Sequence, residues 1–124
     1  MQALYQWQVT GQKPEQIIET FIENENLTGK HQDYFLGLIN IIPNYVEEID
    51  AIISPHLDRE QQKVDLIEQA ILRLGTYELK FDQSIPTNVV IDEAIDLAKT
   101  FGSEHGFRYV NGVLDKVARA VRDE

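Results

Sequence analysis

Three acidic side chains near residue 90 are the first candidates for chemistry in this sequence. Asp92, Glu93 and Asp96 fall close together on one predicted helix, and paired carboxylates can exchange protons or hold a metal ion. Acidic residues early in a helix are also favoured by the helix dipole and are well solvated on an exposed face. Because this ordinary explanation accounts for the whole group, the spacing does not establish a catalytic or metal site.

The sequence lacks the residue patterns of common catalytic and metal centres. It has no cysteine, and its three histidines, His31, His56 and His105, are far apart in sequence. Helical metal-binding spacings such as HExxH are therefore absent, as are the G-x-S-x-G, P-loop and G-x-G-x-x-G motifs. We predict a protein with no enzyme activity, no bound metal and no cofactor.

A second group of side chains has the composition of an RNA-binding surface. One side of the last predicted helix carries Arg108, Asn111, Gly112, Asp115, Arg119 and Arg122, with Tyr109 adjacent. Aromatic rings stack on the bases of single-stranded RNA, and arginines contact its phosphates. The same residues also fit an exposed helix face whose cations complement the carboxyl end of the helix dipole. The residues alone leave both explanations open.

Charge restricts where an anionic ligand can bind. The net charge is −10, from 21 acidic and 11 basic residues, which argues against general nucleic-acid binding because cations supply most of that affinity. The first 29 residues contain one base, Lys13, whereas the stretch from Lys99 to Arg122 contains five. An anion-binding surface is therefore predicted in the carboxyl-terminal part.

The elements that position these residues are predicted to be helices. The 124 residues suit one domain, 1–124, and apolar residues recur at helical spacing almost throughout. The predicted helices span residues 1–9, from Pro14 onward, 30–53 with a kink at Pro43, 64–81, 87–101 and 107–122. The fold class is thus all-α, with about six to seven helices. Gly75 is predicted to permit close helix packing and Gly102 to cap a helix. No run is apolar and long enough to span a membrane.

Four segments resemble the bacterial transcription antitermination factor NusB family. They are Ala3–Gln8 (A-L-Y-Q-W-Q), Ala70–Leu79, Val90–Lys99 and Tyr109–Lys116, the last containing V-N-G-V-L-D. The resemblance covers nearly the whole chain in the right order. It implies a compact bundle built as two stacked helical halves, and a monomer or weak homodimer in the bacterial cytoplasm. It also implies two binding partners: the ribosomal protein NusE and boxA-type single-stranded RNA. Together they would act in the RNA polymerase antitermination complex on ribosomal RNA operons.

The resemblance implies roles for individual residues in RNA binding. Arg108 and Tyr109 match the basic and aromatic pair on the RNA side of the family. Asn111 belongs to the same motif and is expected to cap or fix the adjacent loop. His105 lies in the loop before these residues and is expected along the RNA path. Tyr5 matches an aromatic residue near both the RNA and the partner surfaces.

The remaining residues implied by the resemblance concern packing and the protein partner. Glu68 matches an acidic residue on the partner-binding side, together with Tyr5. Gly112 is expected to serve helix packing.

The chain departs from the family at its amino terminus. Members normally begin with an arginine-rich arm, whereas Met1 here stands where the first helix is already under way. A misassigned start codon, a trimmed protein and natural shortening all fit. The missing arm and the net charge of −10 predict weak RNA binding by the chain alone. Two alternative functions stay open: an RNA-binding domain fragment of a ribosomal RNA cytosine methyltransferase, and a scaffold that has lost RNA binding.

Overall fold

The computed structural model describes residues 2–17, 19, 39–58, 64–102 and 105–122. Five α-helices are given in full: α1 (Gln2–Thr10), α2 (Val46–Ile53), α3 (Leu66–Phe81), α4 (Thr87–Phe101) and α5 (Gly106–Arg122). Residues 14–17 and 39–41 are also helical, and 3₁₀ turns at Ile42–Tyr45 and Ser54–His56 flank α2. The described residues include no strand, and the predicted all-α class is confirmed.

Local signals determine where several helices begin and end. α1 ends before Gly11, which has a φ of +68°, a backbone conformation that glycine adopts without strain. Pro14 is the first residue of the next helix, as predicted. Asp65 caps α3, because its carboxylate accepts hydrogen bonds from the backbone N–H groups of Ile67 (2.9 Å) and Glu68 (3.3 Å). The observed starts of α3 and α5 lie within two residues of the predicted ones.

The predicted distortion at Pro43 takes the form of a 3₁₀ turn. Helical residues 39–41 pass into the turn Ile42–Tyr45 and the chain continues as α2. Proline has no N–H to donate and clashes with the preceding turn, so a regular α-helix cannot run through this position. The apolar stripe continues on both sides, since Ile42, Ile49 and Ile53 are buried. Residues 30–38 of the predicted helix lie outside the described residues.

α3 is the central helix of the bundle. It packs against α1 and α2 on one side and against α4 and α5 on the other, while α4 and α5 also pack together. This arrangement gives the two predicted groups of helices. α3 and α5 pack closely, since a Cβ on Gly75 would lie 2.9 Å from Leu114 Cδ1. The predicted packing role of Gly75 is confirmed.

None of the helices that the structure describes is long and apolar enough to cross a bilayer.

Arg73 joins three helices. Its guanidinium on α3 forms a bidentate ion pair with Asp50 on α2, with N–O distances of 2.9 and 2.8 Å. A third donor reaches the Gln8 side-chain oxygen on α1 at 2.8 Å. The Gln8 amide nitrogen in turn donates to the Leu66 carbonyl at the start of α3 (2.9 Å). Planar bidentate pairing fixes orientation as well as distance, so this network sets how α1 and α2 sit on α3.

Candidate functional site

A groove runs along α5 where the 3₁₀ turn Ser54–His56 packs against that helix. It has a volume of about 190 Å³. We call it the α5 groove; it is lined by His56, Asp58, Arg108, Tyr109, Gly112, Val113 and Lys116. Arg108, Gly112 and Lys116 are four residues apart in sequence, so they follow one another up a single face of the helix.

The described lining of the α5 groove combines the cations Arg108 and Lys116 with one carboxylate. Arg108 and Lys116 are exposed on α5, while Asp58 is contributed by the chain following the 3₁₀ turn. Beside the groove, the Phe107 ring holds two cations: Lys99 Nζ lies 5.0 Å and Arg108 Cζ 5.7 Å from its centroid. Cations at such distances are attracted to the ring face, which keeps positive charge concentrated at this end of α5.

Tyr109 contributes the aromatic surface of the groove. Its ring is half-buried and packs against the hydrophobic core, and its hydroxyl oxygen is buried. The polar end of the ring therefore points inward, and the part that lines the groove is the apolar ring surface. Such a surface can contact a base, and it is held in place by the core behind it.

The structure corrects the expected packing role of Gly112 and shows where Asn111 lies. Among the residues that the structure describes, a Cβ on Gly112 would meet no atom within 4 Å, and the residue is exposed, so Gly112 serves no packing between these residues. Asn111 is exposed in the second turn of α5, away from both ends of the helix. It therefore does not cap α5, and its expected role in fixing the preceding loop stays a prediction.

The predicted stripe of α5 does not form one surface. Arg122 is half-buried and reaches the far end of α3 instead of solvent. Its guanidinium donates hydrogen bonds of 2.7–3.2 Å to five oxygens, the carbonyls of Glu78, Leu79, Asp82 and Ile85 and the hydroxyl of Thr87. A cation at the carboxyl end of a helix satisfies its last carbonyls and complements the dipole. Arg122 is thus a structural residue that joins α5 to α3.

Arg119 also differs from Arg108. It forms an ion pair with Asp115 one turn earlier on α5, at 3.0 Å, and both side chains are well exposed. Pairs of this kind contribute little to stability. Arg119 is not among the residues that line the α5 groove, so Arg108 and Lys116 are the cations that face it from α5.

The other predicted site residues lie outside the α5 groove. His105 is exposed in the turn before α5, where its carbonyl accepts a hydrogen bond from the Arg108 N–H (3.2 Å). Tyr5 is half-buried on α1 and packs against the core. Glu68 is 5 % exposed in the first turn of α3. The structure thus brings Arg108 and Tyr109 together in the groove, and places His105, Tyr5, Glu68 and Asn111 elsewhere.

Sequence reasoning missed four residues of the groove. Lys116 and Val113 carry a local signal, because they follow Arg108 and Tyr109 by two turns and one turn on the same helix. His56 and Asp58 carry none, since they come from a segment about 50 residues away that only the packing of the 3₁₀ turn brings to α5.

The acidic candidates do not assemble a metal centre. Asp92, Glu93 and Asp96 are exposed on α4, as their solvated-face explanation requires. Across the residues described by the structure, no three histidine, cysteine or acidic side chains are grouped to hold a metal ion.

Comparison with known proteins identifies the family. A sequence model described as NusB family matches residues 1–119. The chain belongs to the NusB family. The transcription antitermination protein NusB of Alcanivorax borkumensis is 45% identical over 122 residues, a match that covers 98% of this chain and 81% of that protein. The resemblance stated from the four sequence segments is confirmed.

Solved NusB structures share the fold. NusB of T. maritima superposes with a TM-score of 0.85 at 36% identity, covering 95% of this chain and 84% of the other. A crystal structure of the antitermination factors NusB and NusE in complex with double-stranded RNA matches with the same TM-score at 31% identity, covering 95% and 89% of the two chains. The NusB fold therefore extends over nearly all of this chain.

Proposed function

We propose that this chain is a transcription antitermination factor that binds boxA-type single-stranded RNA together with the ribosomal protein NusE. The observation that carries the proposal is the α5 groove. Arg108, Lys116 and the ring of Tyr109 lie together there, in a chain that is otherwise strongly acidic. Membership of the NusB family and the solved complex of NusB and NusE with double-stranded RNA support NusE as a partner and RNA as a ligand.

The groove residues are expected to contact different parts of the RNA. Arg108 and Lys116 neutralise phosphates, which supplies affinity without regard to sequence. Tyr109 offers its ring surface to a base, because stacking tolerates any base and needs no hydrogen bond. Since the chain carries a net charge of −10, we expect weak RNA binding alone and stronger binding when NusE adds its own basic surface.

We place the protein partner against α1 and the start of α3, where Tyr5 and Glu68 lie. The hydrogen bond from Gln8 to the Leu66 carbonyl joins these two helices, so both residues belong to one packed unit. The assembled complex would act on RNA polymerase in the bacterial cytoplasm, with the chain as a single domain and a monomer or weak homodimer. We assign it no catalytic activity, metal or cofactor.

Titration of boxA-type RNA over a range of salt concentrations, with and without NusE, tests the proposal. Arg108→Ala removes one phosphate contact, so we expect weaker binding mainly at low salt and a salt slope smaller by about one unit. Tyr109→Leu keeps apolar volume and removes the ring, so we expect a loss of about 1–3 kcal/mol at every salt concentration. Arg119→Ala is the matched control, because it removes an exposed α5 arginine that does not line the groove.

The outcomes separate the proposal from RNA binding at another surface and from a scaffold function. Equal binding by Arg108→Ala, Tyr109→Leu and Arg119→Ala would show that RNA binds elsewhere. Binding of NusE without any RNA binding would identify a scaffold. A double-stranded form of the same RNA serves as a further arm, and tighter binding of the duplex would contradict recognition by base stacking.

A further inference from the structure

The α5 groove has a glycine at its centre that the packing of the helices does not explain. Gly112 lies near the middle of the 17-residue helix α5, where glycine destabilises a helix relative to alanine. Gly75 on α3 has a structural reason, because its missing Cβ admits Leu114. Gly112 has no such reason within the described part of the chain: a Cβ there would meet nothing within 4 Å.

We propose that Gly112 leaves the backbone of α5 uncovered by a side chain, so that one nucleotide of bound RNA can contact the helix directly. The position supports this, because Gly112 lies one turn after Arg108 and one turn before Lys116, between the two cations of the groove. A nucleotide held at its phosphates by these cations would lie across Gly112. A side chain at this position would fill the space that the nucleotide occupies. The inference rests on the proposed RNA-binding function and adds a steric determinant to it.

The size and lining of the groove fit one base, or one ribose with its phosphate, of a bound nucleotide. Pockets that bury a drug-sized ligand have volumes of roughly 300–1,000 Å³, so about 190 Å³ suits one base or one ribose with its phosphate. Tyr109 and Val113 supply an apolar wall for the base or sugar. His56 and Asp58 also line the groove; the imidazole can donate or accept a hydrogen bond, and the carboxylate can accept one from a polar group of a nucleotide.

Gly112→Ala tests the inference, because it is expected to change stability and binding in opposite directions. Alanine favours the helix and meets open space, so the midpoint of thermal unfolding should rise by about 3–5 °C. The added methyl group enters the groove, so the affinity for a boxA-type RNA oligonucleotide, measured with NusE present, should fall about tenfold. Because no charge is removed, the salt slope of binding should stay unchanged, unlike that of Arg108→Ala.

Ala120→Gly supplies the matched control. Ala120 is exposed on α5 and is not among the residues that line the groove, so the substitution should lower the unfolding midpoint without affecting RNA binding. The double variant Gly112→Ala/Ala120→Gly should return the midpoint towards that of the unsubstituted chain while RNA binding stays weak. A loss of affinity that persists in this variant is specific to the groove and independent of stability.

Three results would overturn the inference. Unchanged RNA affinity of Gly112→Ala, with binding still weakened by Arg108→Ala, would leave the proposed function standing and remove only the role of Gly112. Unchanged affinity in both variants would overturn the groove as the RNA site and this inference with it. A lower unfolding midpoint for Gly112→Ala would show that the glycine serves the fold.

Discussion

Glu68 lies in the first turn of α3 and is only 5 % exposed. A substitution that tests its proposed contact with NusE therefore has to fit into a nearly closed space. A charge reversal to arginine would force a larger cation into a space that the fold has closed around a carboxylate. Such a variant is expected to lose stability, since burying a poorly accommodated charge is costly. Weaker partner binding would then have two explanations.

Glu68→Gln separates these explanations. It keeps the shape of the side chain and removes the charge, so we expect the unfolding midpoint to stay within a few degrees of that of the unsubstituted chain. If Glu68 faces a basic group of NusE, the affinity for NusE should fall about tenfold, because a charge-assisted hydrogen bond is replaced by a neutral one. Calorimetric titration with NusE, alongside thermal unfolding by circular dichroism, measures both quantities.

Glu47→Gln provides the control for this substitution. Glu47 is an exposed acid in the first turn of α2, so its loss changes the net charge by the same amount. Equal affinity of the two variants for NusE would contradict the assignment of Glu68 to the interface.

At the scale of single helices, the sequence predicts most of what the structure contains. The bounds of α4 agree with prediction and those of α3 and α5 differ by two residues or fewer, because apolar periodicity and caps are local signals. The sequence predicts only part of the groove, because some of its residues carry no local signal. Arg108 and Tyr109 lie on one helix, whereas His56 and Asp58 reach the groove through packing between distant segments. The helical pattern also does not predict that Arg122 donates hydrogen bonds to carbonyls at the end of α3.

The crossing of α3 and α5 gives a prediction about two helices. Gly75→Ala should gain about 1 kcal/mol from helix propensity, but its Cβ would lie 2.9 Å from Leu114 Cδ1 in a fully buried contact. Overpacking of a core typically costs about 1–3 kcal/mol, so we expect a net destabilisation of about 1 kcal/mol. Urea unfolding measures the free-energy change.

The same substitution should stabilise the chain when Leu114 is shortened. Leu114→Ala alone costs about 2–5 kcal/mol through lost burial and the cavity it leaves. In that background the atoms that approach Gly75 are gone, so Gly75→Ala should now raise the free energy of unfolding by about 1 kcal/mol. A destabilising effect of similar size in both backgrounds would show that the contact with Leu114 is not what keeps position 75 a glycine.

The whole molecule has opposite electrostatic relations to its two proposed partners. Its charge of −10 attracts a basic ribosomal protein over distances beyond direct contact, and it repels RNA everywhere except near local cations such as those of the α5 groove. RNA bound in the groove is therefore repelled by the negative charge of the rest of the chain. This argues that NusE contributes to RNA binding by offsetting that repulsion as well as by adding contacts.

Neutralising acids that do not line the α5 groove and are not assigned to the partner surface should therefore affect the two partners in opposite directions. Asp92→Asn combined with Glu93→Gln changes two exposed side chains of α4 and reduces the net charge from −10 to −8. The association rate constant with NusE should fall and that with boxA-type RNA should rise, while both dissociation rate constants change little, because distant charges act mainly on encounter. Both effects should disappear at high salt, where the Debye length falls to about 3 Å at 1 M. Stopped-flow measurements at several salt concentrations give the rates, and a change in the same direction for both partners would show that long-range charge does not govern their encounter with this chain.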